Sequence, residues 1–498
     1  MLFYYPLPPV LSIFAGVNII DKYEVVIGLE VHAQLLTRTK IFCSDNAAFG
    51  AEPNTQTSPV SLAHPGTLPK MNGLAIAYAV KLGLALHCAI EHRNYFARKN
   101  YFYPDLPKGY QVTQHTAPVC KGGYLSINTA KGDKKVRLNR IHMEEDAGKS
   151  IHDIDPGYTC IDLNRAGVPL LEIVTEPDLE SAEEAYTYLT ELRKIVRWLG
   201  VCDGNMEEGS MRCDANISIR LKGEIVLGTR VEVKNLNSIR NVKRAIEIET
   251  DRLIGLAENK EAIIQETRSF DADTNSTFAL RSKEEADDYR YFPEPDLPPF
   301  FISEKYISDV NDHMPVLPDQ LKEKYISVFQ LSEYDAGGLV RDKETADFFE
   351  GLIRHTKNFK SAANWLLGPV KSFCNENNIV IADFPLSPSQ LAGLIDLAES
   401  GKVNFNNAST KILQQLISSP REDPSAIAAA LNLLQESGAD AIEEWVDTVL
   451  AAMPEKVKEY RSGKKGLQGL FAGEVKRLSK GKADMQLVNE LLLVKLNQ

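Results

Sequence analysis

Cysteine is scarce in this chain of 498 residues: the seven thiols, at positions 43, 88, 120, 160, 202, 213 and 374, form an odd and scattered set. That excludes a disulfide framework and fits a reducing cytoplasm. Beyond residue 20 no apolar run reaches 18 residues, so there is no candidate for a membrane-spanning helix. The first twenty residues, MLFYYPLPPVLSIFAGVNII, are apolar, but they lack a basic start and are broken by Pro6, Pro8 and Pro9. Residues 1–22 are therefore expected to be an extension of uncertain structure, or to follow an upstream start, rather than to be a membrane signal. Internal repeats and low-complexity tracts are missing. So is a complete phosphate-binding loop. The stretch NRIHMEEDAGKS ends in Gly148, Lys149 and Ser150, but the glycine that a P-loop needs five residues earlier is Met143.

What precedes the Gly-Lys-Ser triplet is Glu144, Glu145 and Asp146. Three carboxylates repel a triphosphate unless a cation lies between them, so the stretch asks for a metal. The whole chain carries a net charge of −12, yet from Pro454 onward ten Lys and Arg face five acids, a net +5. Charge placement rather than the total points to a polyanion partner at that end. The segment YRYFPEPDLPPF (289–300) packs four prolines into twelve residues and is expected to break regular structure and close the first domain. A softer break is expected in SGKVNFNN (400–407). In KGLQGLFAGEVKRLSKG, Leu467, Leu470, Phe471, Val475 and Leu478 recur at helical spacing. The expected fold class is α+β, with a β-rich domain over 23–298, a helical domain over 299–404 and a helical tail over 405–498.

The β-rich part repeats one pattern. In VVIGLEVHAQL, Glu30 and His32 project to one side and Leu29 and Val31 to the other, because side chains alternate across a strand. The same alternation sets Arg212, Asp214 and Asn216 opposite Met211, Cys213, Ala215 and Ile217, and Arg230, Glu232 and Lys234 opposite Val231 and Val233; PLLEIVTEP places Glu172 inside an apolar strand. A polar sheet face is commonly just solvated. Several strands that each offer lone acids, a histidine and a base form a different set. Glu30, His32, Glu145 and Glu172 are candidate ligands for Mg²⁺, with Asp214 nearby. A second candidate is YFARKNYFYPDLPKGYQ, where Arg98, Lys99 and Lys108 alternate with aromatics, a pattern that suits either nucleic-acid stacking or a tyrosine-anchored loop.

The motifs VIGLEVHAQL, RKNYFYPDLPKGYQ, HMEEDAGKS, DLNRAGVPLLEIVTEPD, MEEGSMRCDAN, VEVKNLNS and DDYRYFPEPDLP, in this order from about Tyr23 onward, together resemble the GatB family of tRNA-dependent amidotransferase subunits. The resemblance implies a glutamine-synthetase-like cradle, a helical domain and a tail domain that grips tRNA. It implies ATP-dependent phosphorylation of the side-chain carboxylate of Glu-tRNA(Gln) or Asp-tRNA(Asn), then amidation by ammonia from a separate glutaminase (amidase) chain, with a small third chain completing a heterotrimer. That is carbon–nitrogen ligase chemistry with ATP and Mg²⁺. Carried over residue by residue, Glu30, His32, Glu145 and Glu172 match metal positions, Asp214 lies in a catalytic motif, and Lys99 and Lys108 match the ammonia route. Phosphate contact by Lys149 or Arg212 is inferred from charge and neighbourhood. Lys464, Lys465, Lys476, Arg477, Lys480 and Lys482 are the tail's candidates for tRNA phosphates.

One departure stands out. Many members carry a zinc knuckle, Cys-x-Cys followed by Cys-Pro-Val-Cys; here those positions are Cys43, Asp45, Ser58 and Ser61. Tetrahedral zinc needs four ligands, so no zinc is expected. A non-catalytic tRNA scaffold is the competing reading, but an RNA cradle should be basic, and these strand faces supply acids.

Overall fold

The computed structural model describes residues 22–282, 289–435, 439–479 and 482–497. The first twenty-one residues, including nearly all of the expected extension, lie outside them, as does Lys480. The chain folds as two compact units, one ending at Pro315 and the other starting at Val316.

The first unit is built on a large sheet. Its main path uses β1 (Tyr23–Gln34), β2 (Ala97–Asn100), β3 (Tyr110–Thr113), β4 (Gly132–Glu145), β5 (Pro169–Thr175), β6 (Met211–Leu221), β7 (Val231–Leu236), β8 (Glu266–Asp271), β9 (Ser276–Ser282) and β10 (Arg290–Pro293). They lie in the order β9-β8-β7-β6-β1-β5-β4-β3-β2-β10. The β7–β8 pair is parallel, and the other neighbours on this path are antiparallel. Alternation decides which face is buried. Ile27, Leu29, Val31 and Ala33 of β1, Cys213, Ala215 and Ile217 of β6, and Val231 and Val233 of β7 are all buried. Helices α1 (Gly73–Ala85), α2 (Ala182–Trp198) and α3 (Ile239–Glu258) follow; α2 and α3 pack together, and α3 lies against β6. Each of these two helices starts on a serine cap: Ser181 accepts from the Glu184 amide and Ser238 from the Asn241 amide. Their apolar stripes, such as Tyr188, Leu189 and Leu192 on α2, are fully buried, each large side chain contributing about 1.5–3 kcal/mol.

The proline segment behaves differently from expectation. Arg290–Pro293 is a strand, β10, at the sheet edge beside β2, and Phe300–Phe301 pairs with Arg93–Asn94. Proline is tolerated at an edge, where its missing N–H costs no ladder bond. The expected boundary at 298/299 therefore falls inside the first unit, which continues through α4 (Glu304–Asp312) to Pro315.

The second unit is helical throughout its described residues. Packing does not break at 400–407, because helix Pro388–Glu399 touches Pro424–Ala430 across it. Helices Ala439–Ala452, Pro454–Arg461, Gln468–Leu478 and Met485–Asn497 share a separate core of Ile442, Val446, Tyr460, Phe471, Val475, Val488 and Leu492. Of the residues expected on the apolar stripe, Phe471 and Val475 are buried, whereas Leu470 and Leu478 are exposed. No described helix is long and apolar enough to cross a membrane.

Candidate active site

The polar side chains meet on the open face of the sheet. Register places His142 of β4 opposite Glu172 of β5, Glu172 opposite His32 of β1, and His32 opposite Arg212 of β6. One residue row thus crosses four strands. Glu144, two residues beyond His142, projects to the same face. Ligand atoms of His32, Glu144 and Glu172 all lie within 4.8 Å of one another. His32 Nε2 is 3.7 Å from a carboxylate oxygen of each glutamate. Two carboxylates and an imidazole make a donor set for a divalent cation that tolerates one nitrogen. Glu30 sits one step along β1, beside Asp214, and accepts from Asn216 Nδ2 at 2.9 Å.

The expected ligand Glu145 is not part of this group. Strand β4 runs unbroken to Glu145, so consecutive side chains take opposite faces, and Glu144 holds the place assigned to its neighbour. Glu145 is fully buried and bonds to Lys108 Nζ at 2.7 Å and to the Val112 amide at 2.7 Å. Burial raises its carboxyl above the usual range, against the pull of Lys108.

His142 is one of many polar residues in GDKKVRLNRIHMEE, set between the buried Ile141 and Met143. Burial opposes its charge. Hydrogen bonds and the negative charges of Glu144 and Glu172 outweigh that and hold it at about 9, with Nε2 3.1 Å from Glu172. Burial raises Glu172 in turn, but bonding and charge from His142, with His32 and Arg140 nearby, bring it down to about 2. The pairing favours the charged form of both groups.

Cations and their supports complete the cavity, which has a volume of about 1150 Å³. Arg212 donates to Asp146 at 2.9 Å, and Gln34 Nε2 fixes the same oxygen at 2.6 Å. Lys234 bonds to Asp214 at 2.5 Å and lies 3.0 Å from Glu232; burial works against its charge, yet the two carboxylates raise its pKa. Lys99 and Arg140 also line the cavity, with the Lys99 ammonium 4.6 Å from the Tyr289 ring centroid. Lys108 lies instead in a smaller cavity with Phe42, Tyr110 and Glu294.

Lys149 does not join them. It is exposed, on a separate ribbon formed by Lys149–Asp155 and Tyr158–Asp162. Gly148 serves packing: a Cβ there would come within 2.9 Å of the carbonyl oxygens of Asp105 and Asp162, and Ser150 Oγ donates to Asp105 at 3.1 Å. Gly148 and Ser150 thus tie a loop down, and Lys149 lies apart from the cations that line the cavity.

At the knuckle positions, Ser61 Oγ donates to Asp45 at 2.5 Å and accepts from the Ser58 amide at 2.9 Å. Burial pushes the Cys43 thiol up to about 11. One protonated thiol and an engaged carboxylate do not fit a zinc centre. Elemental analysis of the purified protein is expected to find no stoichiometric zinc, and one tightly held zinc per chain would contradict this.

In the tail, Lys464 pairs with Glu459 at 3.0 Å and Arg477 with Glu474 at 2.8 Å. Lys465 stacks over Tyr460, its ammonium 4.3 Å from the ring centroid, Lys476 is exposed, and Lys482 donates to Asn432 at 3.0 Å. Part of the net positive charge is therefore compensated locally at the surface, where such pairs are weak.

Fold and site first define a class: a mixed α/β protein whose large sheet presents a metal-competent, anion-handling cavity on its open face. The family model of the GatB/GatE catalytic domain matches residues 25–308, and that of the GatB domain matches residues 347–496. The chain is 50% identical over 479 residues to the B subunit of the aspartyl/glutamyl-tRNA(Asn/Gln) amidotransferase of Geotalea uraniireducens, covering 96% of this chain and 100% of that protein. It is 48% identical over 471 residues to the protein of that name from Thermodesulfovibrio yellowstonii, covering 95% and 98%, and 47% identical over 477 residues to that from Myxococcus xanthus, covering 96% and 99%. The chain belongs to the GatB family of tRNA-dependent amidotransferase subunits.

Proposed function

We propose that this chain is the ATP-using component of a tRNA-dependent amidotransferase, working in the cytoplasm with a glutaminase (amidase) chain and a small third chain as a heterotrimer. Its reaction converts Glu-tRNA(Gln), Asp-tRNA(Asn) or both to the amides. A side-chain carboxylate oxygen attacks the γ-phosphorus of ATP and ADP leaves; ammonia then attacks the acyl carbon, phosphate leaves and the nitrogen sheds a proton. The first step is needed because a carboxylate has no adequate leaving group. The observation that carries this reading is the His32, Glu144 and Glu172 cluster, set among Arg140, Arg212 and Lys99 on one open face.

His32, Glu144 and Glu172 would hold a divalent cation, Mg²⁺ or one like it, and Glu30 flanks them. When bound, such an ion neutralises charge between phosphate and carboxylate. Arg212, fixed by Asp146, and Arg140 orient the anions. His142 keeps Glu172 ionised and fixed. Asp214 positions Lys234 in the cavity wall. We place Glu145 with Lys108 on the ammonia route rather than with the metal, since the two form one buried pair away from the cluster.

The tail supplies tRNA affinity rather than chemistry. Removing it would take away part of the second unit's core, so charge reversal is the cleaner test. With Lys464, Lys476 and Arg477 all changed to Glu, tRNA affinity is expected to fall and the slope of log affinity against log salt to flatten by about 2–3. An unchanged slope in a binding titration would mean that these cations are only solvated.

A further inference from the structure

On its β3 side, the stretch of β4 that carries His142 and Glu144 is flanked by two short strands. β3 ends at Thr113, opposite Glu144, and the edge is taken up again by Cys120 and Lys121, opposite Ile141 and Arg140. Pro118, between them, has no N–H for a ladder bond. A side chain bridges the interval. Gln114 donates from its own amide to the Met143 carbonyl at 3.1 Å, and its Oε1 accepts from the Met143 and Val119 amides, each at 3.0 Å. Its Nε2 donates to Asn94 Oδ1 at 3.0 Å. Gln114 and Asn94 are both buried, so these bonds are made away from water, where they hold the backbone firmly.

Met143 stands between His142 and Glu144, which turn to the cavity face while Met143 turns into the core. Fixing both backbone groups of Met143 therefore fixes where those two side chains start. Thr113 acts on the carboxylate itself. It is buried, and its Oγ1 donates to Glu144 Oε2 at 3.3 Å. His142 Nε2 lies 3.7 Å from the same oxygen. The other oxygen, Oε1, is turned toward His32, 3.7 Å from its Nε2. One oxygen of Glu144 is thus held by the protein, and the second faces its partner in the cluster.

We propose that Thr113 and Gln114 are positioning residues for cation binding by His32, Glu144 and Glu172: Thr113 sets the rotation of the Glu144 carboxylate, and Gln114 sets the strand that carries it. The proposal rests on the metal reading above and adds what orients the ligand. A carboxylate already held in its binding geometry loses little freedom when an ion arrives, whereas one free to rotate loses more. Hydrogen-bonded supports of this kind are worth about 10–100-fold in metal affinity.

The test uses Thr113→Val, Thr113→Ser and Gln114→Met in the assembled complex, with Mn²⁺ as the probe, titrated by electron paramagnetic resonance. Thr113→Val keeps the shape but not the hydroxyl and is expected to weaken Mn²⁺ binding by about tenfold or more. Thr113→Ser restores the hydroxyl and should bind close to the parent. In amidation assays Thr113→Val should need more Mg²⁺ for half-maximal rate yet approach the parent's kcat at saturating Mg²⁺, a split that a general loss of structure does not produce. Gln114→Met removes the side-chain bonds to Met143 and Val119 and should also weaken Mn²⁺ binding, measured at a temperature where its circular dichroism matches the parent's. Parent affinity in Thr113→Val, or binding in Thr113→Ser as poor as in Thr113→Val, overturns the role of Thr113; parent affinity in folded Gln114→Met overturns that of Gln114. If Glu144→Gln loses Mn²⁺ while these variants keep it, this proposal alone falls. Undiminished Mn²⁺ binding in Glu144→Gln would fell the metal reading, and this proposal with it.

Discussion

Glu144→Gln is expected to lower ATP-dependent amidation by about 10²–10⁴, the scale of several kcal/mol of lost electrostatic stabilisation at a phosphoryl-transfer site. The substitution keeps size and shape but removes one of two carboxylates beside His32. It also leaves His142 with one anionic partner in place of two. Metal affinity should fall with activity, read as a weaker Mn²⁺ titration followed by electron paramagnetic resonance. Glutamine hydrolysis by the glutaminase chain should keep its basal rate, since its nucleophile is not on this protein. Glu145→Gln is the control: it should leave Mn²⁺ affinity intact, because Glu145 lies on the other side of β4 against Lys108. Loss of Mn²⁺ binding in Glu145→Gln but not in Glu144→Gln would reverse the assignment.

Lys108→Ala is expected to destabilise the first unit by about 3–5 kcal/mol, the cost of leaving a buried carboxylate without its cation. The side chains of Lys108 and Glu145 are 6% and 0% exposed, so water cannot take over. Replacing both at once, with Lys108→Met and Glu145→Leu, should recover most of that loss in urea denaturation, because an apolar pair of similar volume avoids the desolvation penalty. On the ammonia-route reading, the double variant should still cleave ATP with charged tRNA yet transfer little ammonia from glutamine. A Lys108→Ala protein as stable as the parent would mean that the buried charge is not held by this pair.

Strand alternation carries much of the site into view from residues alone. The polar parity of β1, β5, β6 and β7 is legible because a period of two admits only one arrangement once Leu29, Val31, Cys213 and Val233 must be buried. Which of Glu144 and Glu145 faces the cavity follows from the same rule: Ile141 and Met143, both buried, alternate with His142 and Glu144. The three acids after Met143 mask that phase because no apolar residue separates them. The proline-rich segment misleads because local rules forbid proline inside a sheet but not at its edge, and edge placement is a tertiary fact. At Lys149 a familiar triplet suggests phosphate, while the structure places Lys149 on a separate ribbon and keeps Gly148 small because two carbonyls crowd it. On the tail helix, Leu470 and Leu478 share the helical period of Phe471 and Val475, yet the shared core covers only part of that stripe.

The most direct test of the central claim follows the carboxylate's own oxygen. Charged tRNA whose Glu or Asp side chain carries oxygen-18 is turned over by the assembled complex with ATP and glutamine, and the released phosphate is analysed by mass. Carboxylate attack on the γ-phosphorus places one labelled oxygen in each phosphate, and Glu144→Gln should release almost none. Phosphate that is formed in step with amidation but contains no label would show that the tRNA-borne carboxylate is never phosphorylated, and would contradict the mechanism.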